Sequence, residues 1–306
     1  MVNRTLLTGA SGFIGSHLKN SDDILSIVIR KNEIDHSKPS FEIDSLTENT
    51  CWNNAFNNID SIIHLAGLAH SHSFSESDYN SVNTQGTLKL ANDAAKAGVK
   101  RFVFVSSIGV NGSSTLTRKP FRSTSKVKAH NIYAKSKLDA EIGLKRIAEE
   151  TGLEVVIVRP TLVYGPNAPG NFGLLTKLVT KLPLLPFGLV NNKRSFIAVQ
   201  NLTDLLLTCA KHPNAAGHTF LASDSKSIST KEFTSAIAKG LNKSIYQLPV
   251  PISIMRLGAK LIGKQSMAEQ LLDNLEVDSS NAFDVMGWRA PYTMEQAMSL
   301  LSKEMK

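Results

Sequence analysis

Seven residues near the N-terminus, Gly9-Ala10-Ser11-Gly12-Phe13-Ile14-Gly15, restrict the fold more than any other stretch. A strand-like run, residues 2–8, precedes them, and a helical pattern through Leu18 follows. Glycines in such a strand-to-helix turn allow a tight bend. They also let the backbone approach a pyrophosphate at the helix N-terminus. The spacing is Gly-x-x-Gly-x-x-Gly rather than Gly-x-Gly-x-x-Gly. A dinucleotide site formed by Gly9, Ser11, Gly12, Phe13, Ile14 and Gly15 is expected here.

Apolar runs and helical patterns then alternate, which predicts an α/β chain with a parallel sheet. The second strand, residues 24–29, ends in Arg30-Lys31. At that position an acid suits the 2′-hydroxyl of NAD, and a cation suits the 2′-phosphate of NADP. NADP(H) is therefore favoured, with NAD(H) as the alternative. A short strand at 41–46 offers Asp44 and Ser45 to the adenosine end of the cofactor, and residues 47–57 look helical. The strand 61–67 ends in Leu65-Ala66-Gly67, small enough for a cofactor to pass close. His64 inside it reads as a hydrogen-bonded core histidine. His70 and His72 lack a third ligand at fixed spacing, so no metal site is expected.

A helix is predicted over 79–97, with Asn83 near its start, followed by a buried strand at 101–105. Ser106-Ser107 stand at the carboxyl end of that strand, the edge where open α/β sheets hold ligands. Residues 108–132 read as a basic loop, either attracting a diphosphate or simply solvated. Next comes a helix over 133–151. Tyr133 and Lys137 lie one turn apart on it, hence on one face. A phenol titrates near 10, and an adjacent ammonium is expected to lower it toward working pH. Beyond strand 153–158 and Arg159-Pro160 the pattern changes. Helices at 172–181, 202–210, 230–241 and 293–303 are expected, with strands at 195–199 and 219–222. Residues 251–263 form an amphipathic basic helix, expected to pack into the core, with a membrane surface as the weaker alternative.

The formal charge of +8 suits an anionic partner. No recognition helix, zinc spacing or aromatic RNA motif accompanies it, so nucleic acid is not expected. No run approaches the ~20 apolar residues of a membrane span. Cys51 and Cys209 are expected as free thiols in a reducing, cytoplasmic setting.

With Gly9-x-x-Gly12-x-x-Gly15, His64-Leu65-Ala66-Gly67, Asn83, Ser106-Ser107, Tyr133-x-x-x-Lys137 and Arg159-Pro160 in that order, the chain resembles the extended short-chain dehydrogenase/reductase family. It is most similar to the nucleotide-sugar epimerase, dehydratase and reductase branch. The resemblance implies a Rossmann-type doubly wound parallel sheet with a smaller mixed C-terminal substrate lobe. Residues 1–165 would bind NADP(H), with 191–222 returning to that domain, and 166–306 would mainly hold the nucleotide sugar. It implies Tyr133 as the acid/base, Lys137 as the group that tunes it and bonds the nicotinamide ribose, and Ser107 on the substrate oxygen. Asn83, Ser106, Pro160 and Val163 would line the cofactor. Asn171, Phe172 and Arg194 would contact the nucleotide diphosphate, with Asp278 at the nucleotide ribose or supporting the lobe. A homodimer through helices 83–97 and 133–151 is also implied.

Ile108 and Gly109 occupy places where related sugar 4,6-dehydratases carry Asp-Glu, which argues against that reaction. Asn111 and Asn201 also depart from the family pattern. Arg30-Lys31 favours an NADPH-dependent 4-keto reductase acting on a UDP-4-keto-6-deoxy-N-acetylhexosamine. Pro120-Phe121, Asn171-Phe172 and Arg194-Ser195 are similar to enzymes of surface-polysaccharide assembly. The alternative is an NAD-dependent UDP-sugar 4-epimerase of the UDP-glucose or UDP-GlcNAc type. The complete Ser107, Tyr133, Lys137 set speaks against a non-catalytic NADP-binding regulator.

Overall fold

A computed structural model describes residues 4–69, 73–224 and 226–302. His70 and His72 lie outside the described residues. The chain begins with β1 (Thr5–Thr8), α1 (Phe13–Leu18), β2 (Ile24–Arg30), β3 (Ser40–Ile43) and β4 (Ser61–His64). A continuous helical stretch follows: α2 (Glu76–Tyr79), a π-helical turn (Asn80–Gly86) and α3 (Thr87–Lys96). Then come β5 (Arg101–Val105), α4 (Ile132–Thr151), β6 (Glu154–Pro160), β7 (Leu162–Tyr164), α5 (Gly170–Lys181), β8 (Leu184–Leu185) and β9 (Phe196–Ala198). The remainder is α6 (Val199–Lys211), β10 (Thr219–Ala222), α7 (Thr230–Gly240), β11 (Tyr246–Gln247) and α8 (Ile252–Leu261). Three short helices close it: α9 (Gln265–Leu272), α10 (Ser280–Met286) and α11 (Met294–Ser299).

Seven strands form one parallel sheet in the order β10-β6-β5-β4-β1-β2-β3. The central strands are apolar in their middles because helices cover both faces; β1 and β5 are buried at every position, Thr5, Thr8 and Arg101 included. Alternate residues feed two cores. Leu7, Val103 and Val156 pack under Leu202, Leu205 and Leu206 of α6. Leu6, Phe102 and Val155 pack under Leu90 and Ala94 of α3 and Leu144 and Ile147 of α4. A third core fills the C-terminal lobe around Phe172, Phe196 and Phe233, the last two stacked at 3.7 Å between centroids.

The chain builds outward from β1 to β3, then returns to β4 on the other side. Crevices for ligands lie at such a reversal, beyond the carboxyl ends of the strands. The expected helix at 47–57 is only a single 3-10 turn, Asn53–Phe56. The Thr50 hydroxyl donates to the Ser45 and Thr47 carbonyls and accepts from the Thr47 amide, so turn chemistry displaces the helix. The helices α9 and α10 were not anticipated. Both cysteines are free, Cys51 exposed and Cys209 buried.

Candidate active site

The glycine turn closes β1 onto β4. Gly9 has φ +74, and a β-carbon there would lie 2.7 Å from the Ala66 nitrogen. A β-carbon on Gly15 would lie 2.1 Å from the Gly9 carbonyl oxygen. Those two glycines serve the packing of the chain itself. Gly12 differs: the nearest such contact is the Gly9 carbonyl at 3.3 Å, and it begins α1 without a side-chain cap. A cleft of about 530 Å³ opens there, lined by Ser11, Gly12, Phe13, Ser16, His17 and Asn167 with Pro169. Open backbone and uncapped N–H groups beside a cleft fit a dinucleotide pyrophosphate.

Leu65, Ala66 and Gly67 follow β4 at the same edge. Gly67 comes within reach of two expected site residues: a β-carbon there would sit 2.8 Å from Asn83 Oδ1 and 3.6 Å from Lys137 Nζ. Asn83 is buried in the π-helical turn. Its Oδ1 accepts from the Leu68 amide at 2.7 Å, and its Nδ2 donates to the Leu68 carbonyl and to Ser136 Oγ, both at 3.1 Å. This side chain holds the β4 loop against α4. His64 is fully buried, with Nδ1 2.7 Å from Thr8 Oγ1 and Nε2 2.9 Å from Thr87 Oγ1. Burial first, then Lys137, pushes its pKa down to about 3.

Asn131 caps α4, its Oδ1 accepting from the Ala134 amide at 2.7 Å, so the helix starts just before the tyrosine. Tyr133 is half-buried, its ring 6.0 Å edge-on from the buried Tyr79. The expected lowering of its pKa is reversed. Burial, then Tyr79, pushes the phenol up to about 12. Lys137 is buried, donates from Nζ to the Val105 carbonyl at 3.0 Å, and lies 4.7 Å from the Phe104 ring centroid. Burial lowers its pKa to about 8, with Glu141 opposing.

Ser107 leaves β5 extended, and its Oγ accepts from the Gly109 amide at 3.1 Å. The Gly109 carbonyl accepts from His130 Nδ1 at 3.1 Å, while Asn131 Nδ2 donates to His130 Nε2 at 3.0 Å. Those partners select the tautomer with the proton on Nδ1. A β-carbon on Gly109 would meet His130 Cε1 at 2.9 Å and Ser107 Oγ at 3.3 Å. No carboxylate fits there without moving His130, which gives the dehydratase argument a steric basis. His130 and Asn131 were not anticipated. An Asn ahead of a helical pattern is a cap signal, but nothing in the sequence marks His130.

Ser106 belongs to a buried polar network. Its buried hydroxyl donates to Glu141 Oε1 at 2.5 Å, and Glu141 binds the Arg159 guanidinium through both oxygens. Asn111 completes that network, accepting from Arg159 Nη1 at 3.0 Å. Asn201 has a similar explanation. Its Nδ2 donates to Asp224 Oδ1 at 2.7 Å, and Tyr164 Oη donates to Asp224 Oδ2 at 2.7 Å. An Asp at 201 would set two carboxylates side by side in a buried site. Pro160 is buried at the end of β6, and Val163 in β7 is half-buried.

Arg30 and Lys31 are exposed at the end of β2, each beside an acid. Arg30 Nε donates to Glu33 Oε1 at 2.9 Å and Nη2 to the same oxygen at 2.5 Å; Lys31 Nζ is 3.4 Å from Asp44. The guanidinium fork expected for a 2′-phosphate is engaged within its own turn. Asp44 and Ser45 are both exposed.

In the lobe, Asn171 is exposed and donates to Gln270 Oε1 at 2.6 Å. Phe172 is 1% exposed and packs with Tyr164 and Phe233 in the core of the lobe. Arg194 donates from Nη1 to the Asp273 carbonyl at 2.8 Å, and burial lowers its pKa to about 10. Asp278 accepts from the Ser280 amide and lies 3.2 Å from Arg122 Nε. The basic loop is stitched to this region. Thr115 N donates to the Asn274 carbonyl, Phe121 N to Glu276, and Asp278 N to Phe121. Ile108, next to Ser107, packs with Leu275, Phe121 and Val277. Ile108 thus joins the Ser107 turn to the C-terminal lobe.

The NAD dependent epimerase/dehydratase family matches residues 5–222. The chain is 39% identical to the UDP-glucose 4-epimerase of Vibrio cholerae, over 97% of this chain and 93% of that one. It is 25% identical to N-acetyl-alpha-D-glucosaminyl-diphospho-ditrans,octacis-undecaprenol 4-epimerase of Escherichia coli O157:H7, over 97% and 94%. Its fold is similar to that of RMD from Pseudomonas aeruginosa complexed with NADPH, with a TM-score of 0.73, 20% identity and 99% of both chains covered. The sheet, the glycine turn and the matched residues together establish that the chain belongs to the NAD dependent epimerase/dehydratase family, and that it is an NAD(P)-dependent nucleotide-sugar enzyme of the short-chain dehydrogenase/reductase type.

Proposed function

We propose that the chain is a 4-epimerase of a UDP-linked hexose. The observation that carries this reading is the 39% identity to the UDP-glucose 4-epimerase of Vibrio cholerae across nearly all of both chains. A second relative is named for 4-epimerisation of a sugar on a lipid diphosphate, so sugar and diphosphate are the shared chemistry. The Arg30–Glu33 pair supports NAD over NADP, because it engages the cation that a 2′-phosphate needs and sets an acid beside it. This shifts the balance from the 4-keto reductase suggested by Arg30-Lys31.

Bound nicotinamide supplies hydride acceptance and return at the sugar carbon. Tyr133 takes the proton from the sugar 4-hydroxyl and gives it back, and Ser107 Oγ bonds the same oxygen. Lys137 is charged at neutral pH, below its pKa of about 8. Turning its Nζ from the Val105 carbonyl toward the phenol favours the phenolate. Gly67, Pro160 and Val163 border the cofactor, and Arg194 pairs with a substrate phosphate. The test gives purified protein UDP-glucose and, separately, UDP-N-acetylglucosamine. Epimer formation with no net NADH or NADPH change is expected. NADPH consumption with a UDP-4-keto-6-deoxy-N-acetylhexosamine, and no epimer from either sugar, would establish the reductase instead.

A further inference from the structure

The C-terminal lobe turns an apolar and cationic face to solvent. In α8 one side packs inward through Ile252, Met255 and Ala259. The opposite side carries Ile254, Leu257 and Leu261, spaced at i, i+3 and i+7, which are 59%, 59% and 79% exposed. No residue of this helix is buried. The expected core-packing helix is therefore only half in the core, and its second apolar face has no cover. The chain reaches α8 from β11, where Tyr246 is 70% exposed, and β11 pairs with β8, where Leu184 is 50% exposed.

Charge follows in the same segments of the lobe, with Lys260 on α8 and Lys264 just after it. Residues 155–203 and 233–268 contain no Asp or Glu. Arg256 pairs with Asp273 and Lys239 with Glu295, both acids from outside these stretches. Lys177, Lys181, Lys243, Lys260 and Lys264 belong to the stretches themselves. Among the described residues none of these five lysines has an acidic partner within salt-bridge distance.

We propose that this face docks the protein on an anionic lipid bilayer, with α8 lying in the plane of the interface. An in-plane helix sinks its apolar side roughly 5–10 Å into the boundary of headgroups and acyl chains. Lysines around it then meet anionic headgroups, each contributing about 1 kcal/mol near the surface. A second copy of the chain fits poorly. A two-fold contact sets each patch against itself, so lysines would oppose lysines, with Glu269 and the Arg256-paired Asp273 as the acids nearby. No helix of the described residues is long and apolar enough to cross a membrane, so attachment is peripheral and salt-sensitive. Docking of this kind needs no particular activity at the cleft.

The experiment is vesicle flotation with the full chain. It uses vesicles of phosphatidylcholine alone and of phosphatidylcholine with phosphatidylglycerol in equal parts. Binding to the mixed vesicles, little binding to phosphatidylcholine, and loss in high salt are expected. Leu257→Glu combined with Leu261→Glu is expected to weaken binding by about tenfold or more. Lys260→Glu with Lys264→Glu should weaken it too. Thermal melting of each variant checks the fold. Failure of the parent chain to float overturns the proposal. So does unchanged flotation of the leucine variant. A halved mass of that variant in sedimentation equilibrium, without vesicle binding by the parent, assigns the face to self-association instead.

Discussion

Lys137 is a catalytic candidate whose charge burial opposes. Its pKa of about 8 lies below the ordinary 10.5, because the dry site disfavours the ammonium. Between those values the unfolded chain binds more protons, so stability rises with pH through that window. Below pH 8 the cost of the buried charge is fully present. Lys137→Met should abolish turnover. At pH 7 it should raise the unfolding free energy by about 1–3 kcal/mol, a gain that fades toward pH 10.5. Urea unfolding at both pH values measures it, and a variant less stable than the parent at pH 7 would contradict the argument. Glu33 offers a second test. Glu33→Gln releases the Arg30 fork, so affinity for NADP relative to NAD should rise by about tenfold in fluorescence titration. An unchanged ratio would mean that the pair does not govern cofactor choice. The placement of Tyr133 and Lys137 on one helix, and of Ser107 just beyond β5, was legible in the sequence from their spacing and from the apolar run before the serine. The engagement of Arg30 by Glu33 was not, because a cation at a strand end says nothing about which way it turns.

Among the elements, α4 matters most, since it carries both Tyr133 and Lys137. Its first turn is fixed by Asn131, two residues before the tyrosine, and that side chain also binds His130. Asn131→Ala should cost about 1 kcal/mol of stability. It should lower kcat more than it raises KM, because the phenol loses its placement while the cleft at Gly12 is untouched. Asn131→Asp keeps the capping oxygen but cannot donate to His130. It should restore the melting temperature and leave part of the kcat loss. Full recovery of kcat by the Asp variant would remove His130 from the positioning of this turn. The buried strands were readable because parallel strands covered on both faces are mostly apolar, here with polar residues chiefly at their ends. The π-helical turn at Asn80–Gly86 was not, since its register is set by Asn83 reaching Leu68 and Ser136, residues distant in sequence. The link between residues 115–121 and 274–278 was hidden for the same reason.

At the scale of the whole molecule, the sheet and its helices are joined at buried polar points as well as through apolar cores. His64 is such a point, bridging Thr8 of β1 and Thr87 of α3 from the middle of the sheet. Its position inside an apolar strand made a core histidine legible; its two threonine partners required the fold. The ring is neutral in the folded state down to about pH 3, whereas the unfolded chain protonates near 6.5. Above pH 6.5 both states are neutral and His64 adds no pH dependence. As pH falls from 6.5 toward 3, only the unfolded state gains the proton, so stability drops by up to roughly 1.4 kcal/mol per pH unit. His64→Gln keeps an amide able to bond a threonine and removes this titration. It should be less stable than the parent at pH 7, with a shallower loss of unfolding free energy between pH 6.5 and 4. Carboxylates contribute to the acid slope of both proteins, so the informative quantity is the difference between the two slopes in urea unfolding. Equal slopes would mean that the ring gains a proton without the fold opening.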